Sequence, residues 1–575
     1  TISATVGITG TASATSVSGA SSATGAGGSV FGFQDTGITV GSTGNLTAGV
    51  DSDITATSTN VGQPGFAATS NATATQSVFG ISGTGDAAGA NGTGGSITLG
   101  SDGVITANAG TTANRVTTTA TAVGVTGAAT ANATQGTVAG IYDAADGVID
   151  VGANGTITAR AYSTDAASAT TANGTATATA ATNATLGLVN DTVTVGNEGS
   201  VRGFAGQTTT AAATTVDGAS ASTANSNITQ GVAVDVLSVG GNSTAGIVGS
   251  ATDVISSTAT STTGNATAIG AVTTIDGFDL AANGTASIGN NGTLNGVASL
   301  TDTVAATTTE GVASSNGTAT NVRAVDIGSG AAITVGNAGT VAGATTATVS
   351  STAVNVNGGT STAVATGTDL VGINDGGNLT AGINVGGAGT VSGTVTAAVT
   401  AAATSVSNNS TANATTTTVQ GLDVDAVSIG DAGTVTGSAA ITDQATAIST
   451  AGVASSDVIA TTLTGIDITS GATVAVGNGG TVTGSATGAS TAIATSVNDR
   501  ADAGVLIGTT QGLGAGAGTL TVGSGAVVSG TASLTNTATA STTDGNGTTA
   551  ALVDNDLVQG INLADLTVGN GASIT

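Results

Sequence analysis

Aliphatic residues alternate with polar ones on both sides of a recurring glycine, in a pattern V-x-V-G-N-x-G-T-V-x-G that returns along the chain. Clear copies are VTVGNEGSVRG at 193–203, ITVGNAGTVAG at 333–343, INVGGAGTVSG at 383–393, VSIGDAGTVTG at 427–437 and VAVGNGGTVTG at 474–484. A period of two in β-branched residues predicts strands with one buried face. The glycines between them predict a tight turn, because Gly reaches positive φ without steric cost. Each copy therefore reads as strand, turn, strand.

The first glycine of this motif falls at Gly41, Gly100, Gly152, Gly196, Gly240, Gly289, Gly336, Gly386, Gly430, Gly477, Gly523 and Gly569, so the eleven intervals average 48 residues. A fixed period of that size means a repeat architecture. A second landmark is a glycine flanked by aliphatic residues or Gln. It precedes the first by nine residues at Gly32, Gly187, Gly231, Gly421 and Gly560, and by eleven to fourteen at Gly140, Gly372, Gly465 and Gly512. It predicts another strand followed by a variable loop. Behind the motif runs an Ala/Thr/Ser tract such as TATATA at 175–180, again with period two. Thr and Gly are poor helix formers and no stripe recurs at 3.6, so helix is not expected there.

One such unit cannot bury its apolar face alone, and stacked units can. The expected fold is all-β, an elongated β-solenoid of about twelve repeats of ~48 residues. Residues 1–575 form one solenoid domain, more irregular and loop-decorated over 1–180 and more regular over 181–575. At ~4.8 Å per coil, twelve repeats rise roughly 55–60 Å, or twice that if each repeat winds two coils; both windings stay open. All eight aromatics, Phe31, Phe33, Phe66, Phe79, Tyr142, Tyr162, Phe204 and Phe278, precede residue 279, and Pro64 is the one proline. They read either as local plugs in the core or as a contact surface carried on loops.

Composition fits a thin stacked core: 39% of residues are hydrophobic but only 1% aromatic, with 93 Gly and no Trp or Met. Against 33 acidic residues stand five arginines (Arg115, Arg160, Arg202, Arg323, Arg500) and no lysine, for a net charge of -28. Binding to nucleic acid or anionic lipid needs clustered positive charge and is not expected. No apolar run approaches the ~18 residues of a membrane span. The absence of cysteine removes disulfides and thiolate metal sites. The chain opens at Thr1 without a methionine, which reads as a processed product or a segment of something longer.

Without His, Cys or Lys there is no Ser-His-Asp triad, Cys-His pair, Schiff base, P-loop lysine or imidazole-bound zinc, and an enzyme is not expected. The run GLGAGAG at 512–518 has Gly-x-Gly spacing but lies among strands, with no helix to complete a nucleotide site. Paired carboxylates are the remaining option. Asp191, Asp235 and Asp425 lie four residues after a landmark glycine, and Asp143 and Asp375 three after it. Asp423 with Asp425, and Asp51 with Asp53, share a face through period two. Stacked in register, such carboxylates raise one another's pKa or recruit a cation. Two readings stand: solvated turn residues, or structural calcium on Asp191, Asp235, Asp423 and Asp425 as the one cofactor considered.

Asn197, Asn290, Asn337, Asn478 and Asn570 follow the motif glycine and suggest a ladder of side-chain amides from turn to turn. Many asparagines begin N-x-[ST] triplets, among them Asn45, Asn71, Asn132, Asn154, Asn173, Asn183, Asn242, Asn265, Asn291 and Asn413, either by chance or as glycan acceptors. Thr-x-Thr arrays raise ice binding, which needs threonine at one station of every turn, whereas the tracts drift to Ala, Ser and Asn. Disorder is opposed by positive hydropathy and a persistent valine period.

These motifs and tracts resemble, over roughly residues 30 to 575 and in pattern only, bacterial β-strand-repeat surface proteins. That group takes in filamentous-haemagglutinin-like adhesins, autotransporter passengers and solenoid surface-layer or filament proteins. The resemblance implies an exported, cell-surface stalk, coat or adhesin, and transfers no residue-specific activity. Neither end of the sequence reads as a cap. LTVGNGASIT at 566–575 stops inside a motif, and TISATVGITGTASATSVSG at the start resembles the tract that would follow. The leading expectation is an extracellular structural protein whose partner is itself, joined head to tail by strand pairing into a surface filament or coat. The alternative is a monomeric adhesin or stalk that meets a host, cell-surface or glycan ligand through N-terminal loops.

Overall fold

Alternating sequence becomes alternating burial: in Thr340–Asn355 every second side chain from Val341 onward is buried and the rest face outward. The computed structural model describes residues 1–17, 19–35, 37–62, 70–83, 95–241, 246–375, 382–543 and 547–575; Pro64, Phe66 and Asn242 lie outside them. Among the described residues all regular structure is strand, and every strand pair is parallel. The strands form two sheets. Sheet I takes the strands that follow each glycine motif, such as Ser200–Asp217, and sheet II takes those that precede it, such as Ala176–Val195. The chain alternates between them and winds as a β-solenoid.

Each repeat is one coil, which settles the winding. Ile157 pairs with Val201, 44 residues on, and Val341 with Val391, 50 residues on. One inward column of sheet I runs Leu46, Ile105, Ile157, Val201, Ile247, Leu294, Val341, Val391, Val435, Val482 and Val528, all fully buried. The expected ladder of aliphatic residues is this column and its neighbours.

Two cores lie inside each coil, on either side of a waist. Next to the motif turn, Val, Ile and Leu fill the space between the sheets. Toward the far turn the inward positions are mostly alanine, as in Ala397, Ala401 and Ala403, so the sheets run close over a thin core while threonines face out. Between the two cores, landmark glycines of sheet II meet the last glycine of the motif in sheet I, backbone to backbone. A Cβ built on Gly393 would lie 2.0 Å from the Gly421 carbonyl oxygen, and one on Gly187 would lie 2.5 Å from the Phe204 nitrogen. Gly80 and Gly277 also stand at this station, unrecognised in the sequence, and in one coil Ala324 replaces glycine.

The landmark strand is not separated from the motif by a loop in most coils. Ala176–Val195 and Ser410–Ile429 run unbroken from the Ala/Thr tract through the landmark into Val-x-Val, with a register shift where the loop was expected. The motif turn closes through a bond from the N–H of its last residue to the first carbonyl, as from Gly389 to Gly386 at 3.1 Å. Its third residue is left-handed even when it is not glycine: φ is 56° at Ala338 and Ala388 and 60° at Ala432.

Candidate functional site

The expected carboxylates sit on sheet II just past the waist, where the register shifts fall. Asp191 occupies the shift between Asn190 and Thr192, Asp235 that between Val234 and Val236, and Asp425 that between Val424 and Ala426. The three therefore share a station, as their spacing implied. Asp191 and Asp235 are neighbours in consecutive coils and line one cavity of about 220 Å³ with Asn190, Gln230 and Asp279. Burial, then the hydrogen bond and the charge of Asp191, push the Asp235 carboxyl up from its usual range.

Asp423 and Asp425 do not share a face. Asp423 stands half-buried in register with Asp467, whereas Asp425, at the irregular step, is 1% exposed and its carboxylate oxygens have no hydrogen-bond partner. A bulge breaks period two, so the expected oxygen pair does not form. Burial and then the charge of Asp467 raise Asp423 to about 7. Asp375 is raised to about 7 by burial, and its Oδ2 accepts from the Asp425 and Ala426 nitrogens at 3.4 Å. Asp51 and Asp53 do share the outer face of sheet I, where both line a cavity of about 430 Å³ with Asn114 and Arg115.

Calcium takes six to eight oxygens around one point. Asp191 and Asp235 bring one pair together, but Asp423 and Asp425 lie four coils farther along, so the four residues are not one centre. Among the described residues no group of three or more acidic side chains is arranged to hold a metal ion.

A longer feature escaped the sequence reading. Asp279, Asp326, Asn374, Asp423 and Asp467 stack in consecutive coils as one column on sheet II. Donors from the adjoining column hold it: Gln230 Nε2 reaches both Asp276 and Asp279 at 3.1 Å, and Gln420 Nε2 reaches Asp467 at 2.6 Å. Arg323 bridges Asp326 at 2.8 Å and Asp369 at 2.5 Å, and Asn374 Nδ2 donates to Asp326 at 2.6 Å. Burial, then the charge of Asp326, raises Asp279 to about 7. The available signal was an Asp or Asn two residues after the landmark glycine at 372, 421 and 465.

Also unread were aspartates inside the alanine core. Asp165, Asp253, Asp302 and Asp443 point inward from sheet I, each with at least one unpartnered carboxylate oxygen. Desolvation raises Asp253 to about 6, Asp443 to about 7 and Asp302 to about 8, the last with a further push from the charge of Asp253. An acidic residue at an inward place of an Ala/Thr tract was their mark in the sequence.

The expected asparagine ladder takes another form. The side-chain oxygens of Asn290, Asn337 and Asn478 accept from backbone N–H groups of Asn337, Gly387 and Ser524 in the next coil, at 2.9, 3.0 and 2.9 Å, and Asp431 does the same toward Asn478. GLGAGAG falls within the strand Ala501–Val522, with no helix after it. No family model, characterised protein or solved structure matches the chain. The geometry thus defines a stacked parallel β-solenoid that carries a column of hydrogen-bonded acidic side chains on sheet II.

Proposed function

We propose that this protein is a non-enzymatic, extracellular structural subunit that adds to copies of itself head to tail, through strand pairing, to make a surface filament or coat. The observation that carries this reading is the stacking itself, in which every coil lies parallel and in register on the last, so that a further run of the same strands can continue both sheets. Ile2–Ser16 and Ser21–Asp35 are hydrogen-bonded on one side only, and so is Thr549–Val568 at the other end. Val527–Thr542 is covered on its outer side only at Val527 and Val528, by Ser573–Ile574, and by the contact of Gly530 with Thr575. A strand edge of this length accepts pairing from another strand run offered to it.

The two ends match in direction and register. All strands run the same way, so a second copy added in the same sense continues both sheets. Ile2 and Ile574 stand exposed at the two ends of the aliphatic column described above, and Ile2 of an added copy would take the place of Ile574. On sheet II, Val558 stands in the column of Val30 and Ile561 in that of Phe33. A heterologous contact of this kind does not close and propagates as a fibre. Negative-stain microscopy of the purified chain should show continuous fibres, and removal of residues 1–20 should leave folded, separate particles. Fibres of normal length from the truncated chain would refute strand pairing at this end.

A monomeric adhesin is the second reading, favoured by the open groove where Asp51, Asp53, Asn114 and Arg115 meet. Separate particles from the intact chain, together with a ligand lost on replacing Arg115, would support it instead.

A further inference from the structure

In the third coil sheet I is interrupted: its strand stops at Ala109 and resumes at Val116. Directly after this break the alanine core contains a polar quartet, joined by Gln76 on one side and by Thr209 on the other to a longer run of buried polar side chains. Thr118 and Asp165 are register partners in adjacent coils of sheet I, and Gln135 and Thr182 are register partners in the facing strands of sheet II. Thr118, Gln135 and Asp165 are fully buried and Thr182 is 3% exposed. Thr118 Oγ1 lies 2.6 Å from Gln135 Oε1, so a hydroxyl is pressed against a carboxamide with no water between them. Thr118 and Thr182 both lie within hydrogen-bond reach of the Asp165 carboxyl, whose Oδ1 is otherwise unpartnered. Gln135 Nε2 is fixed by the Gln76 carbonyl at 2.9 Å.

This is the arrangement of a nucleophile, an acyl group and a proton carrier. We propose that Thr118 and Gln135 become joined by an intramolecular ester bond that ties sheet I to sheet II beside the interrupted strand. Thr118 Oγ1 attacks Gln135 Cδ, and the C–Nε2 bond breaks. The hydroxyl proton, held between Thr118 and Gln135 Oε1, ends on the departing nitrogen, which leaves as ammonia, and the Asp165 carboxyl beside Thr118 is the group that can hold it in transit. One C–O bond and one N–H bond form, one C–N bond and one O–H bond break, and nothing is oxidised or reduced. Burial keeps Asp165 protonated more readily than a solvated carboxyl, which suits a group that gives a proton and takes one back. The dry surroundings also keep water from the ester once it has formed. One coil earlier Ser52 donates to Gln76 Oε1 in the same manner, but its hydrogen bonds reach no carboxyl group, which makes it an internal comparison.

Cleavage at Arg115 and Arg160 releases residues 116–160, which hold both partners. Mass spectrometry of this peptide from the intact, aged protein should show a mass short by one ammonia. Backbone fragments between 118 and 135 should be missing, and hydroxylamine should open the loop. T118V should restore the full mass and T118S should keep the loss, with the fold of each variant checked by circular dichroism. D165N should slow the loss in freshly refolded protein. A peptide of full mass in aged wild type would overturn the proposal. So would an ammonia loss that persists in T118V, which would assign it to imide formation at Asn154-Gly155.

Discussion

Single residues decide how closely the two sheets approach. A methyl on Gly393 would collide with the Gly421 carbonyl, which is backbone and cannot rotate away, whereas one on Gly367 would meet side chains alone, Leu370 at 3.2 Å and Val399 at 3.6 Å. Gly393→Ala should therefore cost about 1–3 kcal/mol or more in urea unfolding, and Gly367→Ala should be near neutral. The turn offers the opposite sign. Ala388 sits at φ 56°, a conformation that costs an L-residue on the order of 1 kcal/mol, so Ala388→Gly should raise the melting temperature. That Gly386 and Gly389 form a turn was legible from their spacing alone. The role of Gly393 was not, because alternation tells inward from outward but does not say which glycine 28 residues later lies opposite.

Among elements, the long strands were legible and their irregular steps were not. Period two in the Ala/Thr tracts gave the inward alanines of Thr390–Ser405 directly, and it failed at Asp425, where a bulge set by pairing with the neighbouring coil turned the side chain inward. Register across coils is a property of two segments some 44–50 residues apart, and no local pattern encodes it. The thinness of the alanine core carries a prediction of its own. Ala401 is fully buried there, so Ala401→Leu should force the sheets apart and lower stability by about 1–3 kcal/mol. Ile247→Val, in the thicker aliphatic core, should cost about 0.5–1.5 kcal/mol in the same denaturation series.

For the whole molecule, the buried carboxylates set a direction for pH dependence. Asp253, Asp302, Asp443, Asp279, Asp375 and Asp423 are all raised above 3.8, to between about 6 and about 8, so the folded chain holds more protons than the unfolded chain across that interval. Stability must then fall as pH rises from about 4 through about 8, and the whole penalty is present above it. The melting temperature should be higher at pH 5 than at pH 8, and Asp302→Asn should flatten that slope by stabilising the alkaline end. If copies do add end to end in register, sheet II contributes twelve strands per copy, and a fibre should show an axial repeat near 58 Å over a ~4.8 Å spacing, with the first strand of the next copy displacing Ser573–Ile574. The glycine waist bears on such a fibre as the web of a girder does. It locks two flanges so that neither slides past the other, and a bending load on one sheet is carried at once by both.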